Sequence, residues 1–320
     1  MSLPRPPLDP ELAAALAGGA GMPALTAELI PAFRAMPPQV DVPALLAAAG
    51  IESADIELAS FDGATIGASV LRRAGRTGTG TGPGLLFIHG GGMVMGDRWR
   101  GVDRLIDTIV RHDAVVVTVE YRLAPEHPDP IPVEDCFAAL GWTASRADEL
   151  GIDPARLLLV GLSAGGGLAA GTALLARDRS GPAVAGMLLA YPMIDDRDRT
   201  VSVRQFEGTG LWDREANTVG WTAYLGERRG TDAVSIAAAP ARATDLSGLP
   251  PAFIDVGSAE ALRDEGVAFA SGIWAAGGEA ELHVWQGGFH ACESLVPEAA
   301  ISRAMTSARA SWLDRILSRP

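Results

Sequence analysis

From residue 56 onward the spacing of apolar positions changes in a way that names successive elements. Residues 56–61 (IELASF) and 65–71 (TIGASVL) alternate and flank Asp62-Gly63, which predicts a β-hairpin. Short, mainly apolar runs then recur at 85–88, 114–119, 156–160, 185–190 and 252–256, and a further strand is expected at 280–285. Runs of that length without helical spacing suit strands covered on both faces. Between them, 102–112, 133–150, 166–176, 262–276 and 297–317 have helical character, with Glu134 and Asp135 suited to a helix N-terminus. Such alternation with right-handed crossovers predicts an α/β fold. Its mostly parallel sheet has about eight strands, an antiparallel start and helices on both faces.

Two stretches fall outside the alternation. Residues 1–50 are proline-punctuated, with helical pieces around 10–17, 23–36 and 42–48. Residues 194–250 begin polar and arginine-rich, then carry Phe206, Leu211, Trp212, Trp221 and Tyr224 on short helices. The expected organisation is N-terminal cap helices over 1–50, a core made of 51–193 and 251–320, and a cap insert over 194–250. The cap would lie over the carboxyl ends of the strands, where open α/β sheets bind ligands. The glycines from Gly78 onward precede a strand instead of joining strand to helix, so they read as a connector and not as a dinucleotide loop.

Composition narrows the chemistry. All 26 basic residues are arginine, and without a lysine the chain can build neither a Schiff base nor the lysine of a phosphate-binding P-loop. A net charge of −13 argues against nucleic acid. Two cysteines cannot form a disulfide framework or a four-cysteine zinc site. Cys136 reads as core and Cys292 as a small filler near His290. The N-terminus lacks a basic-then-apolar leader, and no apolar run reaches the ~20 residues of a membrane span, so a soluble cytoplasmic protein is expected.

The strand at 156–160 runs into Gly161-Leu162-Ser163-Ala164-Gly165 and then into a helix of small residues. A serine between strand and helix sits in a tight turn that projects its Oγ from the carboxyl edge of the sheet. Gly161 and Gly165 keep side chains out of a crowded crossing. Ser163 is therefore the candidate nucleophile. Of five histidines, His112 ends a surface helix, His283 lies within a strand, and His127 lies in a proline-rich loop. His89 precedes three glycines and positions backbone. His290, in the loop after the last strand, is the candidate base. The acid is expected after the strand ending at Val256, where Glu260 is first choice and Asp264 second; Asp255 lies within the strand. In His89-Gly90-Gly91-Gly92 the glycines let backbone N–H groups approach a tetrahedral intermediate. Gly91, Gly92 and Ala164 are the candidate oxyanion donors.

With these motifs placed, the chain resembles the hormone-sensitive-lipase-like branch of the α/β-hydrolases, microbial carboxylesterases with HGGG and GxSAGG. The resemblance extends over the segments 121–126 (YRLAPE) and 262–266 (LRDEG) and covers about residue 55 to the C-terminus. It implies a serine carboxylesterase for short- to medium-chain esters, no metal or organic cofactor, a helical cap, and in many members a homodimer. Where many members have Asp-Pro before the LRDEG segment, this chain has Glu260-Ala261. Candidate pocket walls are Met93, Leu162, Phe206 and Trp212, although the two aromatics suit buried cap core equally well. Rival expectations are an amidase, lactonase or deacetylase using the same residues, or a non-catalytic receptor on the same fold.

Overall fold

The turn at Asp62-Gly63 joins two antiparallel strands, β1 (Ile51–Ala59) and β2 (Thr65–Arg73), in an unbroken register from Ile51 opposite Arg73 to Ala59 opposite Thr65. β1 begins five residues before the alternation does. Residues 52–55 are exposed on this edge strand, so no apolar period marks them. In the computed structural model, which describes residues 3–18, 24–37, 40–76, 81–208 and 210–319, six more strands complete one sheet. They are β3 (Gly82–Ile88), β4 (Val115–Val119), β5 (Ile152–Leu162), β6 (Gly186–Ala190), β7 (Ala252–Gly257) and β8 (Ala280–Trp285). The order is β1-β2-β4-β3-β5-β6-β7-β8, parallel from β4 to β8. The connector from Gly78 lies partly outside the described residues, which resume at 81.

The unbroken apolar runs have a simple cause. Successive side chains of a strand face opposite sides, and here both sides are covered. Leu86 and Ile88 join one core with Leu159, Leu168 and Phe269, while Leu85 and Phe87 join the other with Val160, Ile109 and Trp312. Helices Ile131–Ser145, Ala164–Asp178 and Arg263–Ala275 lie on the first face. Val42–Ala48, Ile106–His112 and Ala300–Leu317 lie on the second.

Several helices differ in detail from expectation. The helix at 102–112 opens with a 3-10 turn, Val102–Leu105, and the one at 133–150 breaks between Ser145 and Ala147. Asp135 does not serve the helix N-terminus. It is fully buried and receives three hydrogen bonds from Arg122, through the main-chain N–H, Nε and Nη2, together with the Ser60 hydroxyl.

The two leftover stretches meet each other. The helix Pro10–Ala17 buries Leu12 against Phe289, Cys292, Ala299 and Met305. Before it, Arg5 donates to the Gln205 carbonyl at the end of the helix Val201–Gln205. The arginine-rich start of the insert resolves into ion pairs, Arg197 with Asp195 and Arg242 with the fully buried carboxylate of Asp196.

Candidate active site

β5 delivers Ser163 into a backbone conformation of φ 56° and ψ −118°, immediately before the helix Ala164–Asp178. A left-handed φ on a serine is strained and persists only where its surroundings fix it. Here the Ser163 N–H donates to the Ala190 carbonyl, and its own carbonyl accepts from Gly167 and Met193. The flanking glycines are required by contact. A Cβ on Gly161 would lie 2.1 Å from the Gly165 carbonyl oxygen, and one on Gly165 would lie 2.1 Å from that of Ile88.

The loop after β8 carries His290 back to this turn. The Ser163 hydroxyl donates to His290 Nε2 at 3.0 Å, and His290 Nδ1–H donates to Glu260 Oε2 at 2.7 Å. All three residues are buried. The other Glu260 oxygen accepts the Gly257 N–H, which fixes the carboxylate at the end of β7. The structure thus brings Ser163, His290 and Glu260 into one line, and Asp264 stays apart. Asp264 accepts the Ser202 N–H at 2.8 Å and Arg263 Nε at 2.7 Å, tying its helix to the insert. Two of the remaining histidines are engaged elsewhere, His112 with Asp314 and His283 with Glu281.

His89 follows the last residue of β3 and is fully buried. Its ring stacks on Tyr121 at 4.2 Å, and its Nδ1 lies 2.8 Å from the Gly90 carbonyl oxygen. That oxygen only accepts, so Nδ1 carries a proton. Burial holds the His89 pKa down at about 4 against a smaller opposing pull from the Gly90 hydrogen bond.

Past Gly90, the loop turns through positive φ at Gly91 (127°), Gly92 (62°) and Met93 (65°). Gly90 lies against the turn, since a Cβ there would be 2.8 Å from the Leu162 carbonyl oxygen and 3.3 Å from Ser163 Cβ. The N–H groups of Gly91, Gly92 and Ala164 have no acceptor among the described residues. Unpaired N–H groups of this kind suit the stabilisation of an oxyanion, the role expected of them from the sequence.

The pocket candidates separate. Trp212 covers Gly92, where a Cβ would meet its ring at 2.2 Å, and its ring centroid lies 6.3 Å from that of His290. Met93 is fully buried and belongs to the same core cluster. Phe206 packs with Val203 of the insert and with Ala259 and Ala261 of the loop after β7. Leu162 lines a separate cavity of about 70 Å³ with Phe87, Leu105 and Leu313, on the opposite face of the sheet. Cys292 is fully buried against Met305, and burial pushes its thiol up to about 12, which leaves it no nucleophilic character.

Sequence reasoning missed a residue in contact with the histidine. The Tyr191 ring meets His290 edge-on at 4.7 Å. Its hydroxyl donates to Glu293 at 2.6 Å and accepts from Arg104 at 3.0 Å. Arg309 in turn binds Glu293 at 2.9 Å and Asp255 at 2.9 Å. A signal was available, because Arg309 lies on the apolar stripe Met305, Trp312 and Ile316 of its helix. Among the described residues, no group of three His, Cys, Asp or Glu could hold a metal ion, and no helix is long and apolar enough to cross a membrane.

A strand–serine–helix turn on a parallel sheet, with the histidine returning from the last strand, defines a class of fold. Residues 85–294 match the family model described as alpha/beta hydrolase fold, and the chain belongs to that family. It is 39% identical over 207 residues to Esterase LipI of Mycobacterium tuberculosis, covering 63% of this chain and 62% of LipI. To Carboxylic ester hydrolase LipN of the same organism it is 36% identical over 261 residues, covering 76% of this chain and 66% of LipN. The matched chain therefore spans just under two thirds of these curated relatives. Among solved structures it superposes on a bacterial heroin esterase with TM-score 0.88 at 38% identity, covering 98% of both chains. It also superposes on esterase LipW from Mycobacterium marinum with TM-score 0.85 at 31% identity, covering 98% and 99%.

Proposed function

We propose that this chain is a serine carboxylesterase that hydrolyses short- to medium-chain carboxylic esters through an acyl-enzyme. The observation that carries the reading is the buried line Glu260–His290–Ser163, with hydrogen bonds of 2.7 and 3.0 Å. Family membership and the esterase names of the relatives support it.

In this reading Ser163 Oγ attacks the ester carbonyl as its proton passes to His290 Nε2. The carbonyl oxygen becomes an oxyanion beside the N–H groups of Gly91, Gly92 and Ala164. Glu260 holds the imidazole with Nδ1 protonated and balances the imidazolium that forms. Collapse of the intermediate breaks the ester C–O bond, and the imidazolium returns its proton to the departing alkoxide. Water then attacks the acyl-serine by the same proton route and releases the carboxylic acid. His89, Gly90, Gly161 and Gly165 shape the backbone around these groups. Residues 1–50 and 194–250 act as the cap, with Trp212 as the wall nearest Gly92. A homodimer and a cytoplasmic setting complete the reading, tested by light scattering and by fractionation of the source cells.

The decisive experiment combines a chain-length ladder of p-nitrophenyl esters, an anilide control and a serine-directed phosphonate. Turnover of short and medium esters, labelling at Ser163 and loss of turnover in Ser163→Ala are expected. An adduct elsewhere, or an alanine variant with unchanged rates, would overturn the reading.

A further inference from the structure

The loop that holds Gly91 and Gly92 is strained and is held from outside. Its backbone passes through positive φ at Gly91, Gly92 and Met93; glycine takes such values freely but methionine rarely does, so the surroundings must impose the conformation of Met93. Inside the loop, the Val94 and Met95 N–H groups both donate to the Gly91 carbonyl, at 3.1 and 3.0 Å. Outside it, the Ala124 N–H donates to the Met93 carbonyl at 2.9 Å. The remaining fastening comes from the N-terminal stretch. Arg34, last residue of the helix Ile30–Arg34, donates through Nε to the Val94 carbonyl at 2.7 Å and through Nη2 to the Ala124 carbonyl at 2.7 Å. Val94 and Ala124 are both fully buried. One planar guanidinium thus joins the glycine loop to the segment that braces it. Glu126, at the end of that segment, receives both terminal nitrogens at 2.9 Å and holds the fork in plane.

From this geometry we propose that Arg34 is a positioning residue for the oxyanion loop, so that the N-terminal stretch sets the turnover rate and not only the choice of ester. The proposal rests on Gly91 and Gly92 being oxyanion donors. The ionic half of the contact is minor, because the Glu126 side chain is 58% exposed and such pairs contribute little. The two carbonyl contacts carry the argument. A buried carbonyl that loses its donor seeks another partner, and in a strained loop that means movement. A shift well under 1 Å at Gly91 or Gly92 weakens hydrogen bonds that matter most when the oxyanion forms. Lysine cannot replace the guanidinium, since one ammonium lacks the planar fork that reaches two carbonyls and a carboxylate together.

The test uses the full chain with Arg34→Ala, Arg34→Lys and Glu126→Gln. Each is assayed on p-nitrophenyl acetate, butyrate and octanoate, and against a trifluoromethyl ketone that forms a tetrahedral adduct with the serine. Deleting a single oxyanion donor costs ~10²–10³ in kcat, so displacing the loop should cost about tenfold or more in Arg34→Ala. The loss should be the same for all three esters, with KM changed less than about twofold and ketone affinity falling in step with kcat. Arg34→Lys should resemble Arg34→Ala, and it supplies the measurement if the alanine variant does not fold. Glu126→Gln should stay within about twofold of wild type. Unchanged kcat in both Arg34 variants, or losses that differ with acyl length, would overturn the proposal. Failure of the esterase reading itself looks different, because Ser163→Ala would then keep full activity.

Discussion

At the scale of single residues, what separates Glu260 from Asp264 is the partner each carboxylate already has. Glu260 gives one oxygen to His290 Nδ1 and the other to the Gly257 N–H, so it is oriented before any substrate arrives. Asp264 is occupied by Ser202 and Arg263. Loss of the acid in a serine hydrolase costs on the order of 10⁴ in kcat, so Glu260→Gln should fall by several orders of magnitude with KM little changed. Asp264→Asn should lose about tenfold or less, and steady-state rates in the reverse order would move the acid to Asp264. His89 gives a pH prediction. Its folded pKa of about 4 lies below the ordinary histidine value, so between the two the unfolded chain binds the extra proton. Its contribution to stability is whole above about pH 6.5 and is lost as pH falls toward 4, amounting to about 3 kcal/mol. An NMR titration should find the ring neutral at pH 5; protonation near 6.5 would refute the assignment.

Elements were legible where one period governs a stretch, and less so where tertiary contact decides. Ile88 and Leu159 face one core while Phe87 and Val160 face the other, so strands covered on both sides announced themselves as unbroken apolar runs. The exposed edge strand at residues 52–55 has no such signature, and neither does the break at Arg146. The serine turn was legible because its glycines are required by close approach rather than by any local preference. Gly165 tests that claim between elements, since it lets the helix Ala164–Asp178 cross the end of β3. A methyl there would sit 2.1 Å from the Ile88 carbonyl oxygen and 2.4 Å from that of His89, and backbone cannot rotate away. Overpacking ordinarily costs 1–3 kcal/mol, so Gly165→Ala should reach or exceed about 3 kcal/mol in urea unfolding. A loss under about 1 kcal/mol would mean that helix and strand can separate freely.

Across the whole molecule, the loops that bear Glu260 and His290 are anchored to the C-terminal helix by one buried side chain. Arg309 binds Asp255 on β7 and Glu293, three residues beyond His290, and its guanidinium stacks on Tyr191 at 5.2 Å. No single-stretch pattern could show this link. An aspartate inside an apolar strand and an arginine on an apolar helical stripe are each visible, but their pairing is a property of the fold. Burial opposes ionisation of Glu293, yet Arg309 and Arg104 together outweigh it and hold the carboxyl at about 2. Its folded pKa therefore lies below the unfolded value, and its contribution is present above about pH 4.3 and lost as pH falls toward 2. Arg309→Met weakens that effect. Burial already holds the Asp255 carboxyl above its ordinary value against the pull of Arg309, and without the guanidinium both carboxyls move upward, although Arg104 and the Tyr191 hydroxyl still favour the charged form of Glu293. Breaking a buried pair costs about 3–5 kcal/mol, so near neutral pH the variant should lose that much in urea unfolding. Lowering the pH from about 7 to about 5 should shrink the difference from wild type as the carboxyls left without Arg309 are neutralised. A difference equally large at both pH values would show that Arg309 acts through its packing on Tyr191 and not through charge.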